Sequence, residues 1–326
     1  MTRRRWGLRA FTLVEMLVVI AIIGLLLGIL MPALSGVQKQ SHKATEMNNL
    51  KQVALAWNMY ANSNNDAALP GFLETDVQAA PVPNTSRGWG VKYKFPNGSE
   101  IPVNPQNIAG PWTWRLLPYL DFNHEIVHGY TGEDGFEMNT VHSDLAEAQE
   151  IAYEPAFGYN GYYVGGYWTM IPNFGGGTVA TPRPMYWDHC RDGTREALQL
   201  VQTLSQMQKS SQLVIFCSSS KLPQGDYLRF SEELPGGHLV EPPTRETFEV
   251  WSTVPPENVP YTVRVYPTEA FVPVPRHTEA SAVMYGDGHI DTQPPGALHD
   301  QRNWINNATA MDVSTGTVYK HSVCPP

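Results

Sequence analysis

The chain has 326 residues, and 31 acidic against 22 basic side chains give it a formal net charge of −9 at pH 7. This length allows one large domain or two small ones beside a terminal helix. The acidic balance lacks the basic footprint of nucleic-acid-binding proteins, so we expect no nucleic-acid partner. No phosphate loop, Gly-x-Ser-x-Gly, His-Glu-x-x-His or dinucleotide fingerprint occurs in the sequence, so we expect no catalytic residue and no enzymatic activity.

The N-terminus joins a basic leader, residues 1–10, to a long apolar segment. The leader carries arginines at positions 3, 4, 5 and 9, and the sequence Ala10-Phe11-Thr12-Leu13-Val14-Glu15 crosses the junction. Residues 16–30 contain no charge, so the apolar segment 11–31 is long enough to cross a bilayer as a helix. The arginines favour a cytoplasmic N-terminus with the rest of the chain outside. Glu15 would cost roughly 2.5–3.5 kcal/mol in the hydrocarbon core and therefore needs a partner.

This N-terminus resembles that of the type IV pilin and type II secretion pseudopilin superfamily, in which a small residue precedes Phe-Thr-Leu-x-Glu and an apolar helix. The resemblance implies that a prepilin peptidase cleaves between Ala10 and Phe11 and that the new amine of Phe11 is methylated. It also implies that Glu15 pairs with the Phe11 ammonium of a neighbouring subunit. Glycine is more common than alanine in the family at the position of Ala10.

The resemblance extends to location and partners. It implies a single-pass protein of the inner membrane with its head outside. Other pilin-like subunits, an assembly platform and a motor ATPase would build it into a type II secretion pseudopilus or a type IV pilus-like filament, at the cell surface after assembly. Two other interpretations remain open, a cleaved Sec signal peptide and a membrane anchor that never polymerises. A signal peptide has a shorter apolar core and a small-x-small cleavage site, and residues 32–36 make a poor one.

The helix that begins at residue 11 is predicted to continue well beyond the apolar segment. Polar residues such as Lys43, Glu46 and Asn49 fall largely outside one apolar face. That face has residues at spacings of three and four, namely Met47, Leu50, Ala54, Trp57 and Ala61. The polar run 62–66 and then Pro70-Gly71 end the pattern. We therefore predict a spine helix over residues 11–65, with a transmembrane half and an amphipathic half.

Residues 66–326 are predicted to form an α+β head whose antiparallel sheet comes mostly from the C-terminal third of the chain. Apolar runs between turn residues predict strands at residues 212–217, 247–253, 261–266, 281–285 and 289–292. Residues 158–168 are glycine-punctuated strand and turn segments. Residues 194–209 are a candidate amphipathic helix with Thr194 as its N-cap. The fold is therefore expected to be pilin-like, a long spine helix packed on the sheet of a head.

A second motif lies near the C-terminus, where His277 is followed by nine residues and then Asp287-Gly288. This motif resembles the His-x9-Asp-Gly signature of a large group of pilin-like proteins from certain bacterial phyla. Asp-Gly favours a type I′ hairpin turn, and a bulge is expected if Gly286 also belongs to the turn. The simplest interpretation is a hairpin that sets the register of two strands.

The alternative for the same segment is a metal site. Asp287 and Asp291 are its carboxylate candidates, with His289 and His277 as further ligands. Some pseudopilins carry structural calcium in their C-terminal loops, which makes calcium the first ion to consider. Calcium takes six to eight oxygen ligands, and the spacing of an EF-hand is missing here. No other cofactor is expected.

Cysteine and aromatic residues give the remaining candidates. Cys190, Cys217 and Cys324 allow one disulfide and a free thiol, or no disulfide. Residues 187–192 place Asp, His, Cys and Arg side chains close together in sequence, which alone does not indicate catalysis. We expect the aromatic residues of the head to lie in its core. The alternative is a glycan-binding face of a filament-displayed adhesin, formed by Trp89, Trp112, Trp114, Tyr162, Tyr163, Tyr167, Trp168 and Trp187.

Overall fold

The computed structural model of the protein describes residues 12–78, 94, 110–129, 151–172, 175–183, 200–229, 236–245, 248–252, 262–276 and 279–306. The chain divides into two compact units, residues 1–42 and residues 43–326. Helix α1, Leu13–Ser63, begins in the first unit and ends in the second. A mixed head of short helices and antiparallel strands follows, so the predicted α+β fold with a long N-terminal helix is confirmed.

Helix α1 has 51 residues and is therefore about 77 Å long at 1.5 Å per residue. The backbone stops it where the sequence predicts. Asn65 and Asp66 adopt φ angles of 57° and 67°, which a continuing right-handed helix cannot accommodate. The amide of Asp66 donates to the carbonyl of Ala61 at 2.9 Å, and the side chain of Asn64 donates to the carbonyl of Tyr60 at 2.7 Å. These bonds satisfy carbonyls that the last helical turn leaves without intrahelical donors.

The head contains strands that alternate with turns and short helices. In chain order the strands are β1 (Phe72–Leu73), β2 (Phe157–Tyr159), β3 (Tyr167–Pro172), β4 (Thr178–Arg183), β5 (Val214–Arg229), β6 (Thr244–Arg245), β7 (Phe248–Glu249), β8 (Trp251–Ser252), β9 (Thr262–Pro273), β10 (Ser281–Tyr285) and β11 (Ile290–Gln293). The short helices are α2 (Thr75–Gln78), α3 (Thr113–Leu116), α4 (His124–His128) and α5 (Pro295–Leu298). Three 3-10 turns cover Leu117–Leu120, Leu204–Gln206 and Gln301–Asn303.

The main sheet has six strands, and all its neighbouring strands are antiparallel. Five of them follow the order β11-β10-β5-β9-β8, and β2 pairs with β5 beside this row. The central strand β5 is 16 residues long, so its first part pairs with β2 and β10 and its later part pairs with β9. Strands β1, β3 and β4 form a smaller sheet, and β6 pairs with β7.

The outer part of α1 packs against the main sheet through the face that its periodicity predicts. Trp57 and Leu50 are fully buried, and Met47 packs at the edge of the same cluster. The residues that α1 and the strands contribute to this cluster include Leu50, Val53, Ala54, Trp57, Phe157, Tyr159, Phe216, Ala282 and Met284. A second cluster includes Val214, Cys217, Val283, Trp251 and Trp304. Successive residues of β10 from Ala282 to Tyr285 alternate between the two clusters, as expected for a strand buried on both faces.

Two predicted elements, the helix 194–209 and the strand 247–253, do not form as predicted in their described parts. Residues 200–209, the described part of the predicted helix 194–209, contain only the 3-10 turn Leu204–Gln206. Instead, Val201 pairs with Val164 and Thr203 pairs with Ala67 as isolated β-bridges, so tertiary pairing overrides the amphipathic pattern. The predicted strand 247–253 is divided at Val250, whose amide donates to the carbonyl of Pro243 at 2.7 Å rather than to a strand partner.

Candidate processing and assembly site

The start of α1 is a capping box formed by Thr12 and Glu15. The amide and hydroxyl of Thr12 both donate to Glu15 Oε2 at 2.8 Å, and the amide of Glu15 donates to Thr12 Oγ1 at 3.3 Å. These bonds satisfy amides that a helix N-terminus leaves without partners, and the carboxylate lies at the positive end of the helix dipole. The box therefore fixes the Glu15 carboxylate beside the backbone of Thr12. Ala10 and Phe11, the predicted cleavage and methylation residues, lie outside the described residues.

The first part of α1 exposes large apolar side chains on all sides. Leu13 is 80% exposed and Ile29 71%, and exposed apolar side chains continue to Val37. A helix that is apolar all round requires lipid or neighbouring helices around it. Among the described residues, α1 is the one helix that is long and apolar enough to cross a membrane. This helix near the N-terminus is compatible with membrane anchoring.

The Asp287-Gly288 motif forms the turn between β10 and β11. The amide of Gly288 donates to the carbonyl of Tyr285 at 2.8 Å, and the amide of Tyr285 donates to the carbonyl of His289 at 3.0 Å. Gly288 has a φ of 86°, whereas Gly286 and Asp287 do not have positive φ. The turn is therefore a three-residue loop with a type I turn and a G1 bulge. The predicted type I′ turn is wrong, and the bulge expected from Gly286 is present.

This turn packs closely on the loop that precedes β5, which explains its geometry. The amide of Gly286 donates to the carbonyl of Leu213 at 2.9 Å, and the amide of Asp287 donates to the carbonyl of Ser210 at 3.2 Å. A Cβ atom on Gly286 would lie 2.7 Å from Met207 Sδ. A two-residue type I′ turn would end before these contacts form. The Asp287-Gly288 part of the His-x9-Asp-Gly motif thus connects the β10–β11 hairpin to the loop 207–213 through hydrogen bonds.

The side chains of Asp287 and Asp291 bind their own neighbours. Asp287 Oδ1 accepts from the amide and from Nδ1 of His289, at 3.1 and 2.5 Å. Partial burial raises the pKa of Asp287, but these hydrogen bonds outweigh it and hold the pKa below its usual value. Asp291 accepts from the amide of Thr292 at 2.7 Å and from Gln293 Nε2 at 3.0 Å.

These contacts do not bring the two carboxylates into a common metal site. No group of three or more His, Cys, Asp or Glu side chains in the described residues could hold a metal ion. His277 lies outside those residues. The calcium hypothesis for Asp287 and Asp291 therefore has no support from the part of the chain that the structure describes.

Cys217 is fully buried and forms no disulfide. Burial raises the pKa of its thiol well above the usual value, and the negative charge of Glu46 raises it further. A thiol of this kind is not a nucleophile. Cys190, Cys324 and residues 187–192 lie outside the described residues.

The aromatic residues that the structure describes favour the core interpretation. Trp112 and Trp114 are fully buried and Tyr162 is 3% exposed, so these three are unavailable to a surface ligand. Tyr163, Tyr167 and Trp168 are half-buried, whereas Trp89 and Trp187 lie outside the described residues.

Glu46 on α1 belongs to a buried ionic cluster that sequence reasoning missed. Its side chain accepts from Ser218 Oγ at 2.6 Å, and Arg276 Nη2 donates to the carbonyl of Ser219 at 2.6 Å. Glu46 is 7% exposed and Arg276 is 4% exposed. Burial lowers the pKa of Arg276 to about 10, and the negative charge of Glu46 opposes that shift. The negative charge of Glu46 therefore favours the charged form of Arg276.

The prediction that Glu46 and Asn49 fall outside the buried face of α1 is wrong. Both are buried, and Asn49 Nδ2 donates to the carbonyl of Glu125 at 3.4 Å. A signal for Glu46 exists in the sequence, because it lies one helical turn before Leu50 on the same face. Its partners Ser218 and Arg276 are far away along the chain, so the sequence alone could not show how a carboxylate there is satisfied.

Comparison with known proteins adds one finding at the N-terminus. Residues 9–31 match the family model described as the prokaryotic N-terminal methylation motif. The match supports a prepilin-type protein. It covers Phe11, the capping box and the apolar segment, and it implies a prepilin peptidase and other pilin subunits as partners. No curated protein and no solved structure matches the chain.

Proposed function

We propose that the chain is a structural subunit of a type II secretion pseudopilus or a type IV pilus-like filament, and not an enzyme. The observation that carries the proposal is the methylation motif at residues 9–31. Within this motif the carboxylate Glu15 lies in the first turn of an exposed apolar helix. A peptidase would hydrolyse the Ala10–Phe11 bond and leave an ammonium on Phe11, which then receives a methyl group. An assembly platform and a motor ATPase would move the subunit into the filament.

The geometry of the capping box supports a specific role for Glu15. Both hydrogen bonds that its carboxylate accepts from Thr12 use Oε2, and no hydrogen bond from the described residues reaches Oε1. These bonds come from neutral donors, so the negative charge remains available to a cation. In the proposed assembly step that cation is the Phe11 ammonium of the next subunit. Charge pairing in lipid relieves the cost that each group has alone.

The first experiment is mass spectrometry of the N-terminus of the protein from membranes of a bacterium with a pilus assembly system. We expect a mature chain that begins with methylated Phe11. An unprocessed N-terminus would identify a permanent anchor, and a chain that begins after Ala33 would identify a cleaved signal peptide. Either of these results contradicts the proposal.

The second experiment separates the charge of Glu15 from its capping role. Glu15→Gln keeps an acceptor for the capping box but loses the charge, whereas Glu15→Ala loses both. We expect both variants to be processed at Phe11 and to be absent from the sheared filament fraction. Glu125→Ala, which removes an exposed carboxylate of the head, should be incorporated normally. Normal incorporation of Glu15→Gln would show that charge pairing is not required.

A further inference from the structure

Strand β11 lies at one end of the row of strands in the main sheet, among the strands that the structure describes. The backbone amide of Tyr285 donates to the carbonyl of His289 across the turn, so these two residues form a hydrogen-bonded pair. From there along the hairpin, pairs without inter-strand hydrogen bonds alternate with hydrogen-bonded pairs. Ile290 and Thr292 pair with Met284 and Ala282 at the positions without inter-strand hydrogen bonds. Their amides and carbonyls therefore point away from β10. An edge with outward groups of this kind is a template for another strand.

Asp291 alters this edge in two ways. Its Oδ1 accepts from the outward amide of Thr292 at 2.7 Å, so one donor that an added strand would use is already satisfied. Its Oδ2 accepts from Gln293 Nε2 at 3.0 Å, which holds the exposed carboxylate over the strand. Aspartate is disfavoured within strands, so its position in a four-residue edge strand requires an explanation other than strand stability.

We propose that Asp291 closes this edge of the head sheet to strand addition by a second copy of the chain. If two β11 strands paired antiparallel through their outward groups, Ile290 of each copy would lie opposite Thr292 of the other. The two Asp291 residues would then lie directly opposite each other on one face of the sheet. Like charges so close across a strand pair are destabilising, and the Thr292 amide would have to leave its present acceptor. The head then does not associate through the β11 edge. This inference does not depend on the proposed filament role, because it concerns the head alone.

The test compares the oligomeric state of full-length variants in detergent by analytical ultracentrifugation. Asp291→Thr removes the charge and the acceptor and places a strand-forming residue at the edge. We expect it to lower the dissociation constant of a dimer by at least about tenfold relative to the unsubstituted chain. Asp291→Lys restores a charge at the edge and should remain as monomeric as the unsubstituted chain. Asp76→Thr, a matched loss of an exposed carboxylate on α2, should have no effect.

Hydrogen exchange of the same samples locates the contact. If the dimer forms through β11, the amides of Ile290 and Thr292 exchange more slowly in Asp291→Thr as the protein concentration rises. Association through the apolar helix would leave their exchange rates unchanged. The proposal is overturned if Asp291→Thr, with an unchanged near-ultraviolet circular dichroism spectrum, is as monomeric as the unsubstituted chain. It is equally overturned if Asp291→Lys associates as strongly as Asp291→Thr. A misfolded Asp291→Thr is replaced by Asp291→Asn, for which the same outcomes apply.

Discussion

Three buried histidines predict that the head loses stability in mild acid. His124, His128 and His238 are 1%, 2% and 5% exposed. Burial lowers the pKa of His124 to about 4 and that of His238 to about 4, although each ring donates a hydrogen bond to a backbone carbonyl. Burial, together with the charge of His124, lowers the pKa of His128 to about 3. All three rings are therefore neutral in the folded head at neutral pH.

The sign and size of the effect follow from these values. A histidine in the unfolded chain has a pKa of about 6.5. Below that pH the unfolded chain therefore binds protons at these three residues that the folded head does not bind. The contribution to stability is complete above pH 6.5 and is lost as the pH falls toward the folded pKa values of about 4 and 3. At pH 5 the loss is about 2 kcal/mol for each histidine and about 6 kcal/mol for the three. Domains commonly have a total stability of only about 5–15 kcal/mol.

The assay is thermal unfolding of the full chain in detergent, followed by near-ultraviolet circular dichroism between pH 7 and pH 5. We expect the melting temperature to fall steadily below pH 6.5. His128→Gln should weaken this pH dependence, because it removes one of the three side chains that bind a proton only in the unfolded chain. An identical melting temperature at pH 7 and pH 5 would refute the reasoning, because histidines with lowered pKa values in the folded head must make its stability fall with pH.

Two further substitutions test contacts in the core. Glu46→Ala removes both the acceptor for Ser218 Oγ and a negative charge that favours charged Arg276, and it should destabilise the head by about 3–5 kcal/mol in denaturant unfolding. Glu46→Gln keeps an acceptor and should cost less. Equal losses would show that the charge rather than the hydrogen bond matters. Gly286→Ala places a Cβ 2.7 Å from Met207 Sδ and should cost about 1–3 kcal/mol in the same measurement. Gly175→Ala, with no atom within 4 Å, is its control.

The elements that the sequence predicts correctly are those defined by local pattern. The period of α1 identifies its buried apolar face, and polar residues mark its end within a few positions. Strands β5, β9, β10 and β11 begin within two residues of their predicted starts, because each begins as an apolar or alternating run after turn residues. Strands β5 and β9 are predicted to end at residues 217 and 266 but continue to Arg229 and Pro273, where they pair with each other. The capping box is not predicted, although Thr12 and Glu15 have the spacing that such a box requires.

The errors occur where a distant partner decides the conformation. Residues 200–209 have an amphipathic pattern, but Val201 and Thr203 form bridges with Val164 and Ala67, so they are extended. The Asp287-Gly288 dipeptide favours a type I′ turn, but the amide of Gly286 binds the carbonyl of Leu213 and the longer loop forms. Neither partner can be identified from one sequence, because nothing in the local pattern specifies which distant carbonyl a given amide will meet.

The two carboxylates of α1 differ in the partners that the described residues give them. Glu46 accepts a hydrogen bond from the Ser218 hydroxyl and lies near the positive charge of Arg276. Both residues belong to the same chain, so these interactions contribute to the folding of the head. Glu15 has only the neutral donors of Thr12, and no cation among the described residues forms an ion pair with it. Its charge would cost roughly 2.5–3.5 kcal/mol in lipid, and no contact among the described residues offsets that cost with an opposite charge. A second subunit that brought a cation to Glu15 would therefore gain free energy that the described contacts of one chain do not supply. This difference is the physical reason to place the proposed assembly contact at Glu15 and not at Glu46.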